Sequence, residues 1–270
     1  FGSSDLKLKT SAVKGRAPCT RAKAMADTEA AQTYEAMEGA SESVKSANIE
    51  VRLGFVRKVY GILTVQLLMT VAIAAPLQQM PKQWLMENIW LMQVSLVGSV
   101  AAMIAMACCP SLGRTFPTNY ILLFSFTGFE SVLVGIISAR YTAGVVCACA
   151  AITAVIFLGM TAYAWTTKND FTGFGPYLFG ALLALFAFGC AIGLLQLFGM
   201  NMPGMSKLYA ACGVLIFTLY IVYDTQLILG EFKGHAHSFT VDEYVFAALN
   251  LYLDIINLFL DLLRILGDNR

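Results

Sequence analysis

Apolar and polar positions alternate along this chain in long blocks. From residue 59 onward, seven apolar segments stand out: Val59–Met80, Ile89–Cys109, Thr118–Ala139, Ala143–Trp165, Pro176–Phe198, Leu208–Gly230 and Tyr244–Leu266. Each is near the roughly 20 residues a helix needs to cross a bilayer. Short polar links separate them, among them PSLGRTFP, TTKNDFTGFG and EFKGHAHSFTVDE. Links this short make successive spans antiparallel neighbours, so the pattern predicts an all-α, multi-pass bundle of seven transmembrane helices. The period-two alternation of a membrane β-barrel is missing.

The last segment differs from the others. Within it, Asn250, Asp254, Asn257 and Asp261 follow the spacing i, i+4, i+7, i+11. At about 100° per residue they form one narrow stripe, with Leu, Ile, Phe, Val and Ala on the remaining faces. A carboxylate at mid-bilayer costs at least roughly 2.5–3.5 kcal/mol on insertion scales, so the stripe should face protein or water rather than lipid. This predicts a last helix with a lipid-facing side and a polar side turned into the bundle, placed near the bundle's centre. Two readings of its path remain at this stage, a full span or a segment that dips in and returns. Small residues should line helix contacts; candidates are Ser95, Ser99 and Ala102 in the second span, and Gly180, Ala184, Gly189 and Gly193 in the fifth.

Composition agrees with a membrane protein. The chain is 58% hydrophobic and only 13% charged, about half the charged fraction of a soluble domain. A formal net charge of +1 gives no ground for a nucleic-acid partner. Residues 1–58 hold ten of the 18 Lys+Arg and seven of the 17 Asp+Glu. They contain no run long enough to span, so 1–50 is expected to be a disordered arm and 51–270 the membrane domain. Residues 1–24 are basic and poor in acids, which suits a transit peptide as well as vector or untranslated sequence; the first Met is Met25. Lys45, Arg52, Arg57 and Lys58 before the first span place the N-terminus on the cytosolic side.

Three acids lie well inside spans: Glu130 in the third, Asp224 in the sixth and Asp254 in the seventh. Two carboxyls brought together share a proton and titrate as a pair. They can also draw a divalent cation, since hard oxygen ligands suit calcium. The residues therefore point to Asp224 and Asp254 as a proton-sensitive gate or calcium site, with Asp242, Asn250, Asn257, Asp261 and Glu130 in support. Plainer readings stand beside this one. Glu130 could bond a hydroxyl on a neighbouring helix, and Asp224 could lie at the membrane surface. Six of the seven Cys sit in apolar runs and read as small buried hydrophobes rather than a disulfide framework. No GxSxG, HExxH or GxxxxGK[ST] occurs, and the only two His share one loop, so an enzyme is disfavoured and no cofactor is expected.

Five strings carry a resemblance to a known family. They are FVRKVYGILTVQLLMT (55–70), FTGFESVLVGIISARY (126–141), TKNDFTGFG (167–175), YDTQLILG (223–230) and DEYVFAALNLYLDIINLFLDLLRILG (242–267). Together they resemble the transmembrane Bax inhibitor motif family, in its Lifeguard and Golgi anti-apoptotic branch, over about residues 52–267. The resemblance implies a seven-helix protein of endoplasmic reticulum or Golgi membranes, linked to calcium leak and suppression of cell death. Lipid, calcium, protons and membrane proteins are the implied partners. It also implies that Asp224 and Asp254 correspond to a pH-sensing aspartate pair, and that Asp242 and Asp254 are tied to ion conduction. One departure is visible: bacterial relatives carry an intramembrane Arg on the second helix, and Ile89–Cys109 has none.

Overall fold

In a computed structural model, residues 49–108, 115–200, 202–230 and 237–267 are described, all within one compact unit. The arm, with Met25 in it, lies outside them. The helices are α1 Ile49–Gln78, α2 Lys82–Glu87, α3 Ile89–Cys108, α4 Thr118–Ser138, α5 Ala143–Thr166, α6 Gly175–Leu197, α7 Pro203–Leu229 and α8 Tyr244–Leu266. Short 3-10 turns at Thr172–Phe174 and Val241–Glu243 precede α6 and α8. All but α2 are long and apolar enough to cross a membrane. The chain is a multi-pass helical membrane protein, as its block pattern predicts.

Six of the seven spans begin and end within a few residues of the expected boundaries, and α8 reproduces Tyr244–Leu266. The first does not. α1 starts ten residues before Val59 and takes Arg52, Arg57 and Lys58 into its first turns. Long basic side chains reach water from the end of a span, so charge there does not stop a helix. The re-entrant alternative for the last segment is not seen: α8 is one unbroken helix of 23 residues, about 34 Å at 1.5 Å per residue.

α8 packs against α1, α4, α5 and α7, whereas α3 packs chiefly on α4 and α6 chiefly on α7. In its apolar window α8 is 67% buried, against 11% for α5 and for α6. The last helix is thus the hub of the bundle. Its first turn is tied down by Tyr244, whose ring lies 3.2 Å from Lys58 Nζ and whose hydroxyl accepts from Asn119 Nδ2 at 3.1 Å. Before it, Thr240 and Glu243 form a reciprocal capping box, the Thr240 N–H donating to Glu243 Oε2 at 3.0 Å.

Small residues serve α3 as expected, with Ser95, Ser99 and Ala102 all buried. The α4 face adds close approaches not anticipated: Gly135 leaves room for Ala74 and Leu77 of α1, and Gly98 of α3 faces the Phe129 ring of α4. The expectation for α6 is corrected. Gly180, Ala184 and Gly193 are exposed, and of that set only Gly189 meets a neighbour, the Tyr209 ring of α7; Leu178 and Leu185 are the buried side chains instead. The reading of the cysteines is corrected as well. Cys108, Cys147, Cys149, Cys190 and Cys212 are free, but only Cys149 is buried. In a bilayer an apolar side chain gains nothing by turning inward, so composition alone cannot place it.

Candidate functional site

α7 and α8 form the most extensive helix pair in the bundle. They run antiparallel, and the loop between them starts at the same membrane face as α1. Asp224 lies five residues before the end of α7, and Asp254 ten residues into α8. Their carboxyls come within hydrogen-bonding reach of each other. Both are enclosed, at 3% and 5% exposure. The surface-capping alternative for Asp224 therefore does not hold. One carboxyl oxygen, Asp254 Oδ2, is buried with no hydrogen-bond partner. Two bare carboxylates at that range repel, so the pair has room for a proton or a cation between them.

Aromatic and hydroxyl groups surround the pair. Tyr220 stands close to both aspartates and Tyr223 close to Asp224. Beside Asp224 on α7, Thr225 shares a pocket with Tyr60 of α1 and with Thr161 and Trp165 of α5. The hydroxyl oxygens of Tyr60, Thr161 and Thr225 are buried, yet none has a partner at ordinary hydrogen-bond geometry. Buried polar atoms seldom stay unsatisfied without a reason. Toward the middle of the bundle a second polar cluster is bonded across helices, with only Gln66 Oε1 left without a partner. Gln66 Nε2 donates to Thr127 Oγ1 at 3.0 Å, Ser131 Oγ to Thr70 Oγ1 at 3.2 Å, and Thr70 Oγ1 and Tyr252 OH lie 2.9 Å apart.

The supporting residues divide. Asp261 is buried at 6% exposure and lies 3.8 Å from Arg264 Nη1, with its carboxylate against Gly213 of α7. It therefore has a cation where Asp254 has a second acid. Asn257 Nδ2 donates to the Leu253 carbonyl of its own helix at 2.8 Å, and Asn250 is half-buried. Glu130 is half-buried on α4 beside Tyr252. Asp242 is exposed in the turn before α8, away from the pair. Of the seven residues named from the sequence, the fold brings Asp224 and Asp254 into contact and distributes the other five.

Among the described residues no three His, Cys, Asp or Glu side chains converge to hold a metal. Calcium takes six to eight oxygens, and the pair supplies four at most. The YDTQ string has a structural share too. Gln226 Oε1 accepts from the Phe171 N–H at 2.7 Å and its Nε2 donates to the Asn169 carbonyl at 2.9 Å, which fastens the α5–α6 loop to the end of α7. Spacing within one segment could not reveal that tie, because its two halves are 57 residues apart.

Six spans gathered about a central seventh, with an acid from each of the last two spans meeting in the interior, define a class of multi-pass membrane protein. Within it, residues 52–270 match the family described as "Inhibitor of apoptosis-promoting Bax1", and the chain belongs to that family. It is 37% identical over 248 residues to Protein lifeguard 4 of Mus musculus, covering 90% of this chain and 98% of that one. It is 36% identical over 221 residues to Protein lifeguard 3 of Homo sapiens, covering 81% and 70%. It is also 36% identical over 227 residues to the Golgi anti-apoptotic protein of Vaccinia virus (strain Lister), covering 83% and 89%.

Proposed function

We propose that this protein is a proton-sensitive calcium leak channel or cation exchanger of Golgi or endoplasmic reticulum membranes, acting in calcium homeostasis and the restraint of cell death. The observation that carries the reading is the buried contact of Asp224 with Asp254 across the α7–α8 seam, with Asp254 Oδ2 unpartnered. Neither the cavity bounded by Arg140, Lys207 and Arg264 nor the one bounded by Thr70, Gln78 and Ile255 has either aspartate among its lining residues. A cation enters only when it displaces the shared proton and the seam widens. Calcium occupancy then falls as the pH falls, because protons and metal compete for the same oxygens. The unsatisfied hydroxyls of Tyr60, Thr161 and Thr225 offer a polar route from the pair toward the face where α1 begins, the cytosolic face on the charge distribution before α1. Asp242, in the turn at the start of α8, stands at the same end.

The test is calcium flux from proteoliposomes holding the purified chain, at two pH values, with Asp224→Asn beside the wild type. Flux by the wild type alone, with the pH response removed in the variant, is the expected result. A second reading has its own support in the name of the vaccinia relative. In it the chain restrains cell death by contacting membrane proteins and conducts nothing. It predicts no flux in either protein and a protective effect in cells that survives Asp224→Asn.

A further inference from the structure

At the membrane face opposite the start of α1, a cavity of about 890 Å³ opens between the α4–α5 corner, α6, the first turns of α7 and the end of α8. Three cations from three elements line it: Arg140 at the corner, Lys207 on α7 and Arg264 on α8. Among the described residues no Asp or Glu lines it. Arg140 and Lys207 are exposed. Arg264 is held between the Asp261 carboxylate behind it and the Tyr209 ring, 5.0 Å from the guanidinium. Ser206 and Gln196 add neutral hydrogen-bonding groups.

The cavity is not confined to the membrane surface. Phe186, Gly189, Cys190, Gly193 and Gln196 line it, and at spacings of i, i+3, i+4, i+7 and i+10 they make up one face of α6. From Phe186 to Gln196 that face runs about 15 Å at 1.5 Å per residue. It leads from the cationic rim down along the apolar part of the span. Gly193 keeps the wall low, since a Cβ there meets nothing within 4 Å. Phe186 is 67% exposed on the lipid side. A free phosphate would need the cations but not this groove.

We propose that the cavity is a binding site for an anionic phospholipid, with its phosphate among Arg140, Lys207 and Arg264 and an acyl chain along the Phe186–Gly189–Gly193 face of α6. Clustered Lys and Arg at a membrane surface attract anionic lipid headgroups. The site is independent of the carboxyl pair and stands whether or not the pair conducts.

The test is native mass spectrometry of the full chain in detergent, titrated with phosphatidic acid, with phosphatidylcholine, and with soluble glycerol 3-phosphate. Wild type should bind the anionic lipid at least tenfold more tightly than phosphatidylcholine. Arg140→Gln/Lys207→Gln should lose about 25-fold, at roughly fivefold per cation. Arg57→Gln/Lys58→Gln, at the opposite face, should retain affinity. Gly193→Leu narrows the groove without touching a charge and should weaken the lipid but not the soluble headgroup. Equal binding of both lipids, or no loss in the Arg140/Lys207 variant, overturns the site and leaves the cations as caps on helix ends. Soluble headgroup bound as tightly as lipid, with Gly193→Leu silent, overturns the lipid assignment in favour of a free phosphate.

Discussion

α6 and α8 have the same length, 23 residues each, and both are apolar enough to span, yet they occupy opposite places in the bundle. α8 sits at the centre and is touched by four other spans; α6 lies at the edge against α7. The difference is not hydrophobicity, for α6 is the more apolar of the two. It lies in where the polar atoms are. α8 carries Asn250, Asp254, Asn257 and Asp261 on one side, and lipid cannot take them. α6 carries only Gln196 near its end and has no face that lipid rejects. Inside a bilayer, polar demand decides which helix is buried, because apolar surface has no preference between lipid and protein.

If that demand is met by one functional unit on α8, the carboxyl pair should behave as a unit. Asp224→Asn, Asp254→Asn and the double variant should all lose the pH response of calcium flux to the same degree, tenfold or more at the pH of largest flux. Residues acting together are grossly non-additive in this way. Double-variant flux that falls as the product of the two single losses would break the unit into two independent groups.

The same contrast predicts opposite signs for glycine substitutions. Gly213 of α7 lies against Asp261 of α8, and a Cβ there would overlap the carboxylate. Gly213→Ala should lower stability by about 1–3 kcal/mol, reduced by the roughly 1 kcal/mol that Ala gains over Gly within a helix. On α6, Gly180 faces open space, so Gly180→Ala should be neutral or stabilising by up to about 1 kcal/mol. Thermal unfolding in one detergent, with both variants side by side, gives the comparison. A destabilised Gly180→Ala would mean that α6 packs against something beyond α7.

A smaller effect belongs to the interior hydroxyls. Tyr252 of α8 is fully buried and its OH lies 2.9 Å from Thr70 Oγ1. Tyr252→Phe removes that bond and should cost about 0.6 kcal/mol, the usual value between transmembrane helices. Phe179→Leu on the outer face of α6, 64% exposed, should change nothing measurable. A loss above about 2 kcal/mol for Tyr252→Phe would show that the hydroxyl group of Gln66, Thr70, Thr127, Ser131 and Tyr252 acts cooperatively.

The same physics sets what could be read from the sequence. A patterned helix declares its orientation, so the limits of α8 and the inward turn of Asp254 were legible from the sequence, whereas its apolar side, expected toward lipid, is also largely covered. Asp224 could be named because a lone acid stands out in an apolar run. A uniformly apolar helix declares nothing, and the guess that Gly180, Ala184 and Gly193 make helix contacts failed on such a helix. The outward cysteines on α5 and α6 failed for the same reason. The start of α1 was missed because a charge count treats Arg52, Arg57 and Lys58 as a barrier to helix, and near a span's end it is none. Long-range ties such as Gln226 to Asn169 and Phe171 leave no local period to detect.

Asp261 offers the finest division within α8 itself. It lies two turns beyond Asp254 on the same stripe and is as deeply enclosed, but its neighbour is Arg264 rather than another acid. Arg264 is 44% exposed and the pair is 3.8 Å apart, so solvent screens it and the interaction contributes about 0–1 kcal/mol. Asp261→Asn keeps the shape against Gly213 and leaves Arg264 over the Tyr209 ring. It should lower stability by less than 1 kcal/mol and leave both calcium flux and its pH response intact. A variant that loses the pH response as Asp224→Asn does would place Asp261 in the ion path, and the stripe would then be a conduit along its whole length rather than a single gate with a structural neighbour.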